Sequence, residues 1–152
     1  MNREILFKAK RRDNGEWVEG YVVQRYGAWF VYDIGNPNTC RQNNYVVDPD
    51  TICQNTGLVD KNGRAIHEND ILKGFFYPYC HDGEYNYYAQ IEWSEYTKAF
   101  VIVTVKNPKS SVCGISDGNT ELTEGWEPDS WEVVGNIFDN LELLEDKKDE
   151  TI

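Results

Sequence analysis

A chain of 152 residues with 40% hydrophobic and 14% aromatic side chains can build one ordinary domain or two small lobes, which excludes wholesale disorder. Its formal net charge of −11 argues against a nucleic-acid binder, which needs clustered cations to displace counterions. No run approaches the ~18 apolar residues of a membrane span, and Met1 to Arg12 lacks the apolar core of an export signal, so a cytoplasmic location with reduced thiols at Cys40, Cys53, Cys80 and Cys113 is expected.

The amino-terminal stretch alternates. Ile5, Phe7 and Ala9 face one way and Leu6, Lys8 and Lys10 the other, which is the period of a strand. Asp13-Asn14-Gly15 then predicts a tight hairpin, because Asn-Gly tolerates positive φ at both turn positions. Trp17 to Gln24 reads as the return strand and residues 28–33 as a third, with Gly27 turning between them. Residues 34–44 read as loop, and Tyr45-Val46-Val47 as a short strand stopped by Asp48-Pro49. Residues 51–64 are polar and turn-rich, with Gly63 supplying a positive φ in Asp60-Lys61-Asn62-Gly63. Residues 65–72 form a helical turn or lead straight into a strand.

A second set of strands follows. Ile71 to Tyr77 is one, and Tyr87 to Trp93 another with Tyr87, Ala89, Ile91 and Trp93 on one face. Phe100-Val101-Ile102-Val103-Thr104-Val105 is apolar on both faces and must be an interior strand or be covered by a partner. Residues 106–130 are a long Gly/Ser/Asn/Pro-rich excursion, and Trp131 to Phe138 is the last strand. Asp139 or Asn140 can cap a short helix through Asp146, with Leu141 and Leu144 on one side. The expected fold is mainly β: an amino-terminal β lobe over 1–56, a turn-rich joint over 57–70, a carboxy-terminal lobe over 71–146 resembling an SH3-type barrel and closed by a short terminal helix, and a charged tail over 147–152.

Charge is unevenly spread. Residues 1–12 hold five cations against Glu4, a net of +4, which leaves −15 for the rest. Such a basic strand either deters edge-to-edge aggregation or docks on an acidic surface of a neighbouring subunit.

Few residues offer chemistry. His67 and His81 are the only histidines, and Cys80-His81-Asp82 is the most suggestive local cluster. No paired C-x-x-C occurs, so the usual zinc spacing is missing. Asp60-Lys61-Asn62-Gly63 resembles the opening of an EF-hand loop, but the sixth and twelfth positions from Asp60 are Ala65 and Ile71 rather than Gly and Glu. No glycine-flanked nucleophile elbow and no phosphate-cradling loop is present. Tyr77, Tyr79, Tyr85, Tyr87, Tyr88 and Tyr96 crowd one region, where they either recognise a ligand or pack as strand residues. A non-enzymatic protein with no metal and no cofactor is expected.

The motifs together resemble the YopX family of phage and prophage proteins. The resemblance is carried at the amino terminus by Arg3-Glu4-Ile5, Phe7, Ala9, Trp17-Val18 and Gly20-Tyr21. The centre carries its most specific part: Thr51, Gln54, Thr56-Gly57-Leu58, Asp60-Lys61-Asn62-Gly63, Ile66, Glu68 and Asp70-Ile71. Ile91, Trp93 and Phe100 follow, then Glu132-Val133-Val134-Gly135-Asn136-Ile137-Phe138 and Glu142-Leu143-Leu144. Lys10 stands where the family often has tryptophan; Cys53, Asn55 and Asn69 replace the usual glycine, aromatic and glycine, and Leu141 replaces a proline. At position 69 a turn that tolerates a left-handed residue is expected, as Asn does.

The resemblance implies a phage or prophage origin, a bacterial cytoplasm and self-association, and it brings no established activity. Trp17, Tyr21, Gln54, Thr56, Gly57, Asp60, Gly63, Glu68, Asp70, Gly135 and Asn136 are the family-signature positions and candidate interface residues. Gly57 and Gly63 read as turn formers, Asp60 and Asp70 as acceptors for nearby amides, and Gly135 as a close approach or bulge. Three functions are open: an accessory protein working by contact with itself or a host protein, an acidic nucleic-acid mimic blocking a basic host surface, or an enzyme with a site near Cys80-His81-Asp82. Neither nucleic acid nor membrane is an expected partner.

Overall fold

The computed structural model describes residues 4–33, 44–74, 87–106, 119–121 and 131–144. Among them strand dominates, so the protein is mainly β. The chain divides into two units, Met1–Leu58 and Val59–Ile152.

The first unit is an antiparallel sheet of β1 (Phe7–Lys10), β2 (Trp17–Arg25), β3 (Ala28–Asp33), β4 (Asn44–Val46) and β5 (Cys53–Val59), in the order β4-β3-β2-β1-β5. Register follows the alternation in sequence. Ala9 opposes Val18 and Val22 opposes Val31, so these side chains share one face. Ala9, Val31 and Val47 are fully buried there, with Val18, Val22, Trp29 and Ile52 packed against them. Gly20 lies in the middle of β2, where an added Cβ would stand 1.8 Å from the Tyr32 carbonyl oxygen, so no larger residue fits.

The two hairpins of this unit differ. At Tyr26-Gly27 the loop has two residues, both at positive φ (51° and 77°), and Arg25 pairs with Ala28. This is a type I′ turn, whose twist matches that of the strands. At Asp13-Asn14-Gly15 the expected pair of left-handed residues is absent: only Gly15 is left-handed (φ 73°). The turn there is longer. The Gly15 amide donates to the Arg11 carbonyl, the Arg11 amide to the Glu16 carbonyl, and the Asn14 side chain accepts from the Glu16 amide. Asn14 thus acts through its side chain, which frees its backbone from the left-handed region.

The polar stretch 51–64, read as turns, instead starts at the last residue of a short 3₁₀ turn, Pro49–Thr51, and continues into β5. Phe7 pairs with Gln54 and Lys8 with Cys53. Backbone pairing with β1 decides here over side-chain polarity, which β propensity reflects only through context.

The second unit contains β6 (Ala65–His67) and a five-stranded antiparallel sheet of β7 (Asp70–Gly74), β8 (Tyr87–Ser94), β9 (Ala99–Lys106), β10 (Asn119–Glu121) and β11 (Trp131–Asn136), in the order β10-β9-β8-β7-β11. Residues 65–72 are therefore strand on both sides of a turn, not a helical turn. β9 is interior in the sheet, between β8 and β10, and its Val101 and Ile102 are buried. Ile71, Leu72, Ala89, Ile91, Val101, Ile102, Trp131 and Val133 are buried. Trp93 continues the Ala89–Ile91 face but emerges from the core, 41% exposed, with its ring edge-on to Phe100 at 5.1 Å.

Two expectations are corrected in this unit. The sheet is open among the described residues: β10 and β11 lie at opposite edges, with three strands between them, and no pairing closes an SH3-like barrel. The terminal helix is, over the described residues, only a 3₁₀ turn at Leu141–Leu143. Asn140 makes no capping bond to it, because its side chain is turned back onto Asn136. A single turn without a cap has no means to repay helix nucleation.

Candidate functional site

The central signature begins as a kink in β5. The Gly57 amide donates to the Asn55 side chain at 2.8 Å, the Thr56 hydroxyl accepts from the Leu58 amide at 3.2 Å, and Gly57 takes φ 84°. Gln54 sits one residue earlier, opposite Phe7. These groups bend a strand; Trp17 and Tyr21 lie on β2 of the same sheet. Trp17 is half-buried beneath two ammonium groups, Lys8 Nζ at 4.8 Å and Lys10 Nζ at 5.5 Å from its ring centroid. Tyr21, opposite Tyr32, is 44% exposed.

The turn Asp60–Gly63 is built around one carboxylate. Asp60 is 3% exposed. Its Oδ1 accepts from the Asn62 and Arg64 amides, both at 2.9 Å, and its Oδ2 accepts from the Val133 amide at 2.8 Å. Gly63, at φ 79°, donates its amide to the Asp60 carbonyl. Burial pushes the Asp60 carboxyl up, but the amide bonds from Val133, Arg64 and Asn62, with the Arg64 charge, outweigh it and hold the group below the ordinary range.

The same turn lies along β11. The Lys61 amide donates to the Trp131 carbonyl at 3.1 Å, and the Arg64 guanidinium reaches the Val133 carbonyl at 3.5 Å. β7 occupies the other side of β11. The Asp60 turn thus satisfies the backbone groups that an edge strand would otherwise present to another chain. An EF-hand reading of this segment fails on geometry as well, since the carboxylate oxygens are engaged by amides.

On the β7 side, Asp70 pairs with Asn136 in the ladder. Asp70 is 1% exposed, and its Oδ2 accepts from the His67 amide at 2.8 Å with His67 Nδ1 3.8 Å away. Glu68 and Asn69 form the turn between β6 and β7, with Glu68 half-buried. Asn69 has φ 67°, as a left-handed position required, and its backbone bridges the Ile91 carbonyl and the Ile137 amide.

Gly135 sits just past a register shift in β11, where a Cβ would lie 2.3 Å from the Asn140 Oδ1. That Oδ1 accepts from the Asn136 amide, and the Asn136 Oδ1 in turn accepts from the Phe138 and Asp139 amides, both at 3.0 Å. Gly135 therefore exists to admit Asn140.

In the second unit the structure brings Asp60, Gly63, Asp70, Gly135 and Asn136 together along β11 and its neighbours. Gln54, Thr56 and Gly57 fall on β5, and Trp17 and Tyr21 on β2. Sequence reading missed His67, Arg64 and Asn140 as members of this hydrogen-bonded framework. The signal for His67 was its placement three residues before Asp70, within reach of a short turn. Asn140 was read as a helix cap, and nothing in its local sequence distinguishes that from a contact with Asn136.

Among the described residues no three His, Cys, Asp or Glu side chains converge as a metal site. Cys80, His81 and Asp82 lie outside the described residues, as do Cys40 and Cys113. Cys53 is a buried free thiol whose Sγ donates to the Thr51 carbonyl. Among the described residues no helix is long and apolar enough to cross a membrane.

Comparison with curated proteins finds no match. The family model described as YopX protein matches residues 7–145, most of the chain, and the protein belongs to that family.

Proposed function

We propose that this protein is a phage or prophage accessory protein that works through protein–protein contact, self-associating in the bacterial cytoplasm and catalysing no reaction. The observation that carries this reading is the fate of the central signature. Asp60, Gly63, Asp70, Gly135 and Asn136 are engaged in backbone hydrogen bonds and close packing, so their chemical identity is accounted for by scaffold. The aromatic groups left at the surface, Tyr21, Tyr26, Trp93 and Tyr96, have the chemistry of contact residues. Sedimentation equilibrium over a wide concentration series tests it: concentration-dependent mass supports self-association, and a single monomer mass throughout removes it.

A second reading has one specific support. Residues 1–58 carry no net charge and residues 59–152 carry the whole −11. An acidic unit of this kind is suited to occupy a basic host surface in place of nucleic acid. That reading requires host-protein capture that weakens steeply with salt; capture indifferent to salt counts against it.

A further inference from the structure

Two Asn-Gly steps occupy similar turns. Asn14-Gly15 joins β1 to β2 and Asn62-Gly63 joins β5 to β6, and all four residues are exposed. Gly15 and Gly63 have φ 73° and 79°, and neither asparagine is left-handed. Each glycine amide donates to a carbonyl earlier in its turn, Gly15 to Arg11 at 2.9 Å and Gly63 to Asp60 at 3.0 Å. A glycine has no Cβ to hold its nitrogen off the preceding side chain, so in both places that nitrogen can close on the asparagine Cγ.

The two steps differ at the asparagine side chain. Asn14 Oδ1 accepts the Glu16 amide at 2.9 Å, which ties the carboxamide down. The Asn62 carboxamide has no hydrogen bond among the described residues; only its backbone amide is held, by Asp60 Oδ1 at 2.9 Å. Reaction at Asn14 must break a side-chain bond that reaction at Asn62 does not.

We infer that Asn62-Gly63 is a self-modification site, at which the chain converts its own asparagine to isoaspartate and loosens the turn that covers β11. The Gly63 nitrogen bonds to Asn62 Cγ and gives up its proton. The Cγ–Nδ2 bond breaks, and the nitrogen leaves with that proton as ammonia. The cyclic imide then takes up a water. Opening at the side-chain carbonyl gives aspartate; opening at the backbone carbonyl gives isoaspartate, whose chain runs through Cβ and Cγ. Nothing is oxidised or reduced, and water is the co-reactant.

The position of the step gives it consequence. Isoaspartate lengthens the backbone between the Asn62 and Arg64 amides, which Asp60 Oδ1 binds together, both at 2.9 Å. The same Asp60 side chain holds the Val133 amide at 2.8 Å, and the Lys61 amide holds the Trp131 carbonyl at 3.1 Å. A longer turn cannot keep all of these bonds, so backbone groups on the edge of β11 are released.

The test ages the full chain at mildly alkaline pH and digests it for mass spectrometry. In the native protein the Asn62 peptide is expected to gain its acid forms about five times faster than the Asn14 peptide, the rate equivalent of one net hydrogen bond. In denaturing urea the two rates converge, because both steps are Asn-Gly. Amide exchange reads the consequence. The Val133 amide exchanges about tenfold faster or more in aged, isoaspartate-containing protein, whereas Asn62→Asp, with the same charge and an ordinary backbone, keeps its protection. An Asn14 peptide that reacts as fast as the Asn62 peptide in the native state, or a ratio unchanged in urea, overturns the site. Val133 protection that survives ageing, or that is lost equally in Asn62→Asp, overturns the loosening.

Discussion

The Asp60 carboxylate accepts the Val133 amide at 2.8 Å across 73 residues of chain. One side chain thereby closes its own turn and tethers that turn to the edge of β11. Loss of the acceptor leaves the buried Val133 amide without it, at about 1–3 kcal/mol for an unsatisfied buried group, and also releases the part-buried amides of Asn62 and Arg64. Asp60→Ala is expected to cost about 2–4 kcal/mol in urea unfolding, because the desolvation penalties add to the loss of the turn. Asp60→Asn, which retains one acceptor oxygen, is expected to cost less. An Asp60→Ala variant within 0.5 kcal/mol of wild type, about the scatter of neutral surface changes, defeats the tether.

The same carboxylate sets an acid limb. Its native pKa is depressed, by amides and the Arg64 charge overcoming burial, from about 3.9 in an unfolded chain. A depressed carboxyl contributes stability that is fully present above the unfolded value and declines as pH falls through the native one. The stability gap between wild type and Asp60→Asn is therefore expected to be constant from pH 7 to about 5 and to shrink below about 4. A gap that stays constant down to pH 2 in urea titrations refutes this assignment.

Gly135 and Asn140 are expected to be energetically coupled. Gly135→Ala drives a Cβ to within 2.3 Å of the Asn140 side chain and should cost about 1–3 kcal/mol. Because the obstruction is a side chain, Asn140→Ala should recover part of that loss, giving a double-mutant coupling above about 0.5 kcal/mol. Gly20→Ala offers the opposite case: its obstruction is the Tyr32 backbone, so truncating Tyr32 to Ala should recover nothing. Additive effects at 135 and 140 would contradict the close approach.

Position 69 tests the left-handed turn. Asn69→Gly relieves the φ of 67° but gives up the side-chain contact from Gln90 Nε2 at 3.4 Å, so a change within about 0.5 kcal/mol is expected. Asn69→Val, β-branched at positive φ, should cost about 1–2 kcal/mol or more. Equal midpoints for the Gly and Val variants in thermal melts would show that the backbone conformation is not what Asn69 supplies.

Much of the local structure was legible. Phe7 and Ala9 alternate with Lys8 and Lys10, and the strand pairs accordingly, with Ala9 at zero exposure. The left-handed conformation at Asn69 followed from an Asn where the family usually has glycine. The polar run Gln54-Asn55-Thr56-Gly57 was misread as turns, because pairing with β1 is a long-range event that leaves no apolar alternation behind. The hairpin at Asn14-Gly15 was placed correctly and given the wrong geometry, since side-chain capping of the Glu16 amide competes with the left-handed backbone.

The amino-acid order by itself determined the β class, the family and the concentration of cations in residues 1–12, because these depend on composition and on contacts within a few residues. Tertiary structure alone decided that Asp60 serves Val133, that Gly135 makes room for Asn140, that β9 is interior and that the second sheet stays open among the described residues. The reason is physical: a buried amide or a steric gap is satisfied by whichever group the fold delivers to it, and sequence separation carries no record of that delivery.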